Sequence, residues 1–337
     1  MNPIHGLRVV FMGTADFAVP SLRAIVDAGC VVPLVVTRPD KPVGRGLEMS
    51  MTPVKTAAME LGLEVFQPAG LRDTAVQDRL RACDADFFVV AAYGRILPSA
   101  VLRMPRLGCV NVHGSILPSY RGAAPIQWAV INGESETGVT IMMMDEGCDT
   151  GDILLIGRTP ISATDTAATL FERLSQMGPP LLLQALGQLA CGAAVRIAQD
   201  HSLATVAPMI DKSVGLIDWT SSSRSIANLV RGVDPWPGAF TFTPDGTRIR
   251  VFPFLREASE SVAIPDSGAA LPGTVLVIGC SGDGTGRGDS MLVRTGDGAV
   301  VVDAVQAAGA RRMAPAAMAA GRRIAAGQVL CMDGVRG

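Results

Sequence analysis

The amino-acid sequence predicts an α/β fold, in which a doubly wound, mostly parallel Rossmann-like sheet is followed by a smaller OB-like β-barrel domain. The chain has 337 residues, 48% of them hydrophobic, which is enough for two ordinary domains with their own cores. Over about the first 200 residues, short β-branched runs alternate with longer helical patterns, as in βαβ units. After position 217 the pattern changes to short strands between Gly, Asp, Ser and Pro turns, which is typical of a small all-β domain.

The first domain is predicted to span residues 1–192. Its strands are expected at 8–12, 31–37, 64–66, 87–92, 109–113 and 139–144. Its helices are expected at 17–28, 52–61, 124–131 and 166–189, and Pro179-Pro180 should interrupt or kink the last of these. The first turn, Gly13-Thr14-Ala15-Asp16-Phe17, lacks the G-x-G-x-x-G of dinucleotide-binding folds, so the sheet gives no support for NAD or FAD.

The second part of the chain begins with a mixed stretch, residues 193–215, that is predicted to be a linker. Residues 216–337 form the predicted β-domain, with strands expected at 248–254, 273–278, 291–295 and 299–304. These strands are too few for a sandwich and fit a five-stranded barrel of the OB type. The stretch 279–290, GCSGDGTGRGDS, is predicted from its composition to be a mobile surface loop.

Charge and composition exclude several classes of function. The 29 basic and 31 acidic residues nearly balance in charge. The resulting net charge of -2 does not indicate a nucleic acid or an anionic membrane as partner. The longest uncharged stretch, 175–195, contains Pro179 and Pro180 and is not a membrane span. No secretory signal precedes the first predicted strand. We therefore expect a soluble, cytoplasmic protein with no membrane partner. The sequence does not settle the oligomeric state, and we expect a monomer.

The cysteines and histidines give no support for a disulfide framework or a metal. The seven cysteines are odd in number, widely spaced and never arranged as C-x-x-C. The three histidines, His5, His113 and His201, are far apart in the sequence. We expect reduced thiols and no metal site.

The densest polar chemistry lies in residues 109–118, at the carboxyl end of a predicted strand, where open α/β sheets bind their ligands. Asn111 and His113 are two positions apart and therefore share one face of the strand. An amide donor beside an imidazole suits stabilisation of an oxyanion and transfer of a proton. The alternative is that His113 only caps the strand through a backbone hydrogen bond.

A second polar cluster, residues 144–152, follows the next apolar strand and holds four carboxylates and two glycines. One of these carboxylates is a candidate to orient His113 and favour its protonated form. An ordinary acidic surface loop is the alternative, and spacing alone does not choose the carboxylate. The sequence has no G-x-S-x-G elbow and no local Cys–His signature. Direct attack of a bound nucleophile on an acyl donor is therefore the chemistry best suited to these residues.

These segments together resemble the folate-dependent formyltransferases, and among them the members whose acceptor is initiator methionyl-tRNA. The resemblance follows both predicted domains in the family's order. It rests on 9–18, 38–53, 111–118 (NVHGSILP), 120–126 (YRGAAPI), 138–141, 145–152 (DEGCDTGD), 217–219 and 234–239. Two alternatives are a formyltransferase acting on a nucleotide-linked amino sugar and a catalytically idle module that binds tRNA or folate.

The resemblance implies a catalytic set of Asn111, His113 and Asp149. In that mechanism the α-amine of methionine attacks the formyl carbon of 10-formyltetrahydrofolate, which is a co-substrate. Asn111 and His113 stabilise the tetrahedral intermediate, and Asp149 orients His113 and aids proton movement. The residues implied to hold the folate are Ser115, Ile116, Leu117 and Pro118, together with Arg95, Ile96 and Leu97 around the pteridine.

The resemblance also implies a set of residues for the tRNA and its methionine. Phe17 would form a wall of the methionine pocket, or else is a helix residue packed on the sheet. Arg45, in the loop 38–53, would enter the acceptor arm, or else lies in a solvated turn. Lys212 would contact tRNA near Met209, where the family commonly has lysine.

The C-terminal arginines complete this implied tRNA set. Arg311 and Arg312 recur as Arg322 and Arg323 eleven residues later, so both pairs would share a face if the segment were helical. Residues 301–337 carry five arginines against two acidic residues. A solvated tail is the alternative to phosphate contact.

Overall fold

The computed structural model describes residues 3–43, 48–253, 256–257, 270–281 and 287–332. The chain divides into two units. The first comprises residues 1–125, 136–160 and 171–208, and the second comprises residues 126–135, 161–170 and 209–337. Residues 193–208, which belong to the predicted linker, thus lie in the first unit.

The first unit is built on a seven-stranded sheet in the order β10-β9-β7-β6-β1-β2-β5. The strands of this unit are β1 (Arg8–Gly13), β2 (Val31–Val36), β3 (Lys41–Val43), β4 (Glu48–Ser50), β5 (Val65–Phe66), β6 (Phe87–Ala91), β7 (Gly108–His113), β8 (Arg121–Gly122), β9 (Glu136–Met143), β10 (Ile153–Pro160) and β11 (Val206–Ala207). β7, β6, β1, β2 and β5 are parallel, and β9 and β10 add an antiparallel edge. The predicted α/β class with a mostly parallel sheet is confirmed.

The described part of the first unit contains the helices α1 (Val19–Asp27), α2 (Pro53–Glu60), α3 (Thr74–Arg81) and α4 (Ser99–Leu102). Apart from Pro125, α5 (Pro125–Ile131) belongs to the second unit, and α6 (Ala167–Ala190) belongs to the first unit from Phe171 onward. The expected interruption at Pro179-Pro180 is wrong, because α6 is helical through both prolines. An interior proline costs about 3 kcal/mol, and burial of a leucine returns about 2 kcal/mol. Leu174, Leu182 and Leu186 are fully buried around the prolines, so packing stabilises the helix there.

The centre of the sheet is apolar on both faces, as a buried parallel sheet requires. Val9, Val10, Phe11 and Met12 in β1 are all fully buried. β6 and β7 lie on one side of β1 and β2 lies on the other, so the strand order reverses beside β1. This topological switch point places the carboxyl ends of β1, β6 and β7 at one crevice. None of the helices in the described ranges combines the length and apolarity that a membrane crossing requires.

The second unit contains two antiparallel sheets, β12-β13-β18 and β14-β17-β16-β15. Its elements are β12 (Ala239–Phe242), β13 (Arg248–Val251), β14 (Arg256–Glu257), β15 (Val275–Cys280), β16 (Arg287–Arg294), β17 (Ala299–Val302), β18 (Val305–Ala307), α7 (Ser223–Gly232) and α8 (Pro315–Ala320). Trp219, Val251, Met291 and Met318 are buried in a shared core.

Several elements of the second unit differ from the prediction. The stretch 279–290 was expected to be a loop, yet β15 continues to Cys280 and β16 begins at Arg287, while residues 282–286 lie outside the described ranges. β12, β18, α7 and α8 are additional elements. α7 had a readable signal, because Ser222 caps it by accepting a hydrogen bond from the Ser225 amide and Ile226 and Val230 are buried four positions apart.

Candidate active site

His113 ends β7 with its ring buried, 6% exposed. Its Nε2 lies 2.9 Å from the carbonyl oxygen of Tyr120. Because a carbonyl oxygen only accepts hydrogen bonds, this contact assigns the proton of the neutral ring to Nε2 and leaves Nδ1 with a free lone pair. The backbone bond expected under the capping alternative is therefore present, and it fixes the orientation of the ring with Nδ1 on the opposite side.

Asp149 lies on that other side of the ring. Its Oδ2 is 3.7 Å from His113 Nδ1, which is too long for a hydrogen bond and short enough for strong electrostatic attraction to an imidazolium. Oδ1 accepts a bond of 3.3 Å from Asn111 Nδ2, and Oδ2 accepts one of 2.9 Å from the Gly122 amide. The structure thus brings together the three residues that the resemblance implies. The bond that orients the ring comes from Tyr120 rather than from Asp149.

The loop after β9 fixes the position of Asp149. Asp145 Oδ1 accepts hydrogen bonds from the Gly147 amide and the Thr150 hydroxyl at 3.0 and 2.6 Å, so this carboxylate serves the turn. Asp149 itself has a φ of 54°, a left-handed conformation that aspartate adopts more readily than most residues. A Cβ on Gly151 would lie 2.0 Å from the Met143 carbonyl oxygen, so only glycine fits there.

The other two carboxylates of this loop have no contact with His113. Glu146 pairs at the surface with Arg103, with 3.3 Å between Oε1 and Nη1. Asp152 uses its backbone carbonyl to accept a bond from the Met143 amide. Of the four carboxylates, all of them in the described part of the chain, only Asp149 faces the imidazole. Tertiary structure therefore chooses the carboxylate that spacing left open.

The turn 115–118, implied to hold the folate, is fixed to the sheet by a threonine that sequence reasoning missed. Thr140 Oγ1 donates to the Ser115 carbonyl at 2.6 Å and accepts from the Leu117 amide at 3.1 Å. Ser115 Oγ donates to the Ser119 carbonyl at 2.6 Å. Leu117 is buried, Ile116 is half-buried, and the Leu117-Pro118 bond is cis. A polar residue within the apolar strand GVTIMM was the available signal.

The segment after β6 carries Arg95, Ile96 and Leu97. Arg95 Nη1 donates to the carbonyl of Ala69, Leu97 is buried, and the Ile96 side chain is 85% exposed. Within the described ranges, the buried Tyr93 hydroxyl and Arg38 Nε have no hydrogen-bond partner. Burial also raises the pKa of the Tyr93 hydroxyl above its usual range. Buried polar groups without partners are costly in a native fold, so these two groups are candidates for contact with a ligand.

Phe17 is buried in a 3-10 turn, Asp16–Ala18, that precedes α1. Its ring packs edge-to-face on Phe171 of α6, with centroids 5.5 Å apart. An open groove of about 540 Å³ lies beside this pair and is lined by Asp16, Val19 and Phe171 among others. The geometry matches the packed-residue alternative, and contact with methionine stays a prediction.

The residues implied for tRNA are dispersed. Arg45 lies outside the described residues. Lys212 is exposed at the start of a 3-10 turn, Ser213–Gly215, and Met209 is also exposed. The prediction that the two C-terminal arginine pairs share a helical face is wrong, because α8 covers only Pro315–Ala320 and Arg322 has a φ of 56°. Within the described ranges the two arginine pairs therefore do not lie on one helix.

Sequence reasoning also missed a surface of the second unit, here called the arginine–phenylalanine face: Arg248, Arg250, Arg312, Phe240 and Phe252. The guanidinium carbon of Arg248 lies 3.9 Å from the centroid of Phe240, and that of Arg312 lies 4.4 Å from Phe252. Arg250 is bonded to the turn that contains Pro235 and pairs with Asp234. The alternation in RIRV, with Ile249 and Val251 buried, was the available signal.

No group of three or more His, Cys, Asp or Glu side chains in the described ranges is arranged to hold a metal ion.

Similarity to known proteins extends over both units of the chain. Two family models match the chain, "Formyl transferase" over residues 7–186 and "Formyl transferase, C-terminal domain" over residues 209–323. The methionyl-tRNA formyltransferase of Desulfotalea psychrophila is 46% identical over 324 residues, which cover 96% of this chain and 95% of that protein. The methionyl-tRNA formyltransferase of Acetivibrio thermocellus is 44% identical over 324 residues, covering 96% and 99%.

Solved structures share the fold. An N-formyltransferase from Helicobacter canadensis, solved with folinic acid and dTDP-3-aminofucose, matches 91% of this chain and 100% of its own at 17% identity and a TM-score of 0.61. HypX from Aquifex aeolicus, solved with tetrahydrofolic acid, matches 93% of this chain and 47% of its own at 18% identity and a TM-score of 0.59. At such identities the likeness concerns the fold alone.

Proposed function

This chain belongs to the formyl transferase family, and from that premise we propose that it transfers a formyl group from 10-formyltetrahydrofolate to the free α-amino group of initiator methionyl-tRNA. The observation that carries this proposal is the near-full-length identity with methionyl-tRNA formyltransferases, which extends through both units. The amino-sugar alternative has no comparable support, because the Helicobacter canadensis N-formyltransferase solved with dTDP-3-aminofucose shares only its fold with this chain.

The active-site geometry supplies what amine attack on a formyl carbon requires. Asn111 uses one amide hydrogen for Asp149 and keeps the second for the oxygen that gains negative charge as the C–N bond forms. The site is nearly buried, with Asn111 8% exposed, and a hydrogen bond in such surroundings is stronger than one in water. We assign Asn111 to oxyanion stabilisation.

His113 has the free lone pair needed to take the proton that the attacking amine loses. Its Nε2 proton is engaged by Tyr120, so the incoming proton would bind at Nδ1. The imidazolium formed there would face Asp149 Oδ2 at 3.7 Å, and this negative charge would stabilise it. His113 can then return the proton to the folate nitrogen as the original C–N bond breaks, which balances the transfer.

The folate proposal is supported by the chemistry of two neighbouring segments. The 115–118 turn is fixed by Thr140 beside His113, and the buried hydroxyl of Tyr93, at the start of the other segment, has no partner in the described ranges. When bound there, the folate supplies the activated formyl group. The residues Arg95, Ile96, Leu97, Ser115, Ile116, Leu117 and Pro118 are proposed to surround it.

For the tRNA we propose the second unit's arginine–phenylalanine face, with Lys212, Arg311 and the Arg45 loop as further contacts. Arg248 and Arg312 are exposed cations stacked on aromatic rings, an arrangement that suits phosphates and unstacked bases. The two antiparallel sheets of this unit are consistent with the predicted OB-like barrel, which we retain as a proposal.

One assay tests the proposed function. The protein is incubated with 10-formyltetrahydrofolate and either initiator methionyl-tRNA or a dTDP-amino sugar, and formylated product is measured over time. We expect product with the tRNA only. Product with the amino sugar alone would replace the proposal by the alternative, and omission of the folate should abolish turnover in either case.

A further inference from the structure

A buried glutamine outside the implied catalytic set, Gln199, is bonded to the loop that carries Asp149. Its Nε2 donates to the backbone carbonyls of Asp149 and Gly151 at 2.9 and 2.7 Å. Its Oε1 accepts from Nε and Nη2 of Arg121 at 3.1 and 2.6 Å. A glutamine amide offers two donor hydrogens and two acceptor lone pairs, and all of them are used here. The residue is 7% exposed, so these bonds are made away from solvent.

Gln199 belongs to a segment, residues 197–207, that is hydrogen-bonded along the rim of the active site; we call it the strap. At its start, the amide and carbonyl of Ile197 bond to Ile153 at 2.9 and 2.8 Å. At its end, Thr205 accepts from the amides of Tyr120 and Arg121 at 2.8 and 2.9 Å. The strap therefore bonds to the residue whose carbonyl holds His113 and, through Gln199, to Asp149.

Both Gln199, near the start of the strap, and Ala207, at its end, contact the Tyr120–Gly122 turn. Gly122, which donates its amide to Asp149 Oδ2, follows directly after Arg121, whose side chain Gln199 holds. A Cβ on Gly122 would lie 2.8 Å from the Ala207 carbonyl oxygen, so the strap and this turn are in close contact. The strap thus joins the Tyr120–Gly122 turn to the Asp149 loop.

We propose that Gln199 is a positioning residue that sets the distance between Asp149 and His113, an inference that rests on the proposed formyl transfer. Asp149 has the left-handed φ of 54°, a conformation that persists only where the surroundings hold it. Gln199 holds the backbone carbonyl of that same residue and the carbonyl two positions later. Loss of both bonds would free the loop. A displacement of about 1 Å in such a site lowers turnover by about 100-fold, so a displacement of about half that size lowers it by about 10-fold.

The chemistry of the position favours an amide over other side chains. Leucine at 199 would leave a buried carbonyl (Gly151), a half-buried carbonyl (Asp149) and the Arg121 guanidinium without these partners. Glutamate would present a second acceptor to the carbonyls instead of a donor. Both substitutions keep the approximate volume of the side chain, so they remove the bonds without opening a large cavity.

The test compares Gln199→Leu with Gln77→Leu. Gln77 lies in α3 of the same unit and donates its amide to the Leu71 carbonyl at 3.0 Å, away from His113. We expect Gln199→Leu to lower kcat by about 10-fold while KM for methionyl-tRNA stays within about twofold, because ground-state binding is left intact. Gln77→Leu should keep the wild-type kcat, because it removes a single part-buried hydrogen bond that is remote from His113.

A double-mutant cycle with Asp149→Asn separates positioning from a general structural role. If Gln199 acts through Asp149, its loss should have little further effect on kcat once the carboxylate is gone. Multiplicative losses in the double variant would overturn the proposal, as would a wild-type kcat in a folded Gln199→Leu protein. If Gln199→Leu does not fold, Gln199→Glu is measured in its place with the same expectations. Absence of methionyl-tRNA formylation by the wild type would instead overturn the proposed function itself.

Discussion

The His113–Asp149 pair and the arginine–phenylalanine face hold their charges in opposite ways. His113 and Asp149 are 6% and 15% exposed, and backbone groups of Tyr120 and Gly122 hold each of them. Arg248 and Arg312 are exposed and rest on phenylalanine rings instead. A nearly buried pair depends on distances of a few tenths of an ångström, whereas exposed cations act over about a Debye length and weaken with salt. Catalysis and tRNA binding should therefore respond to different perturbations.

The largest expected effect is on turnover. His113→Ala should lower kcat by at least about 100-fold, the scale of a positioned acid–base group, because the proton acceptor is lost. tRNA affinity should stay nearly unchanged, since the exposed cations are untouched. Steady-state kinetics and filter binding measure the two quantities. His5→Ala, an exposed histidine of the same unit, is the matched control, and near-normal turnover of His113→Ala would remove the residue from the mechanism.

The second prediction concerns the opposite pattern, in which binding of methionyl-tRNA weakens while turnover at saturation is kept. The double variant Arg248→Ala, Arg312→Ala should lower kcat/KM for methionyl-tRNA by about 10-fold, with saturated turnover kept. Its log–log salt dependence of tRNA binding should flatten by about one unit for each phosphate contact removed. Arg81→Ala removes an exposed cation from α3 and should change neither quantity. An unaltered salt slope in the double variant would exclude this face from tRNA contact.

A third prediction concerns the influence of the Asp149 carboxylate on the neighbouring Cys148 thiol. Cys148 lies at the surface; partial desolvation of its thiol and, next, the charge of the Asp149 carboxylate and a hydrogen bond to it raise the pKa of that thiol above its usual range. In a Cys191→Ser background, Asp149→Asn should speed the reaction of Cys148 with Ellman's reagent at pH 8 by about 2- to 5-fold, because more thiolate forms. Asp78→Asn, on the distant surface of α3, should leave the rate unchanged. Equal rates in both variants would contradict an influence of the Asp149 carboxylate on the Cys148 thiol.

The smallest expected effect is the pH dependence of stability that comes from two buried thiols of the first unit. Burial, with a smaller contribution from the charge of Asp86, raises the pKa of the Cys30 thiol from 9.0 to about 11, and burial alone raises that of Cys109 to about 12. The folded protein keeps both protons where the unfolded chain has lost them, so the free energy of unfolding should fall as pH rises above 9. Urea titrations from pH 8 to pH 10 measure this, and Cys109→Ala should show a shallower decline. A flat profile would contradict the burial of these thiols.

The positions of the central strands along the chain, and the position of the candidate site at the end of β7, could be predicted from the sequence. The reason is local: β-branched runs mark buried strands, and alternation places Asn111 and His113 on one face whatever surrounds them. The same local logic was wrong at Pro179-Pro180, where buried leucines keep α6 helical. It also missed β12, β18 and α8, which are short and stabilised by a shared core.

The sequence by itself determined the α/β class, the family and the candidate residues, because these depend on periodicity and on motifs that are contiguous in the chain. Only the tertiary structure decided which of four carboxylates faces His113, which backbone carbonyl orients its ring, and that Gln199 holds the Asp149 loop. These contacts join positions from 7 to 50 residues apart. No spacing rule fixes such distances, since they arise only when the strands pair and the strap bonds to the Tyr120–Gly122 turn and the Asp149 loop.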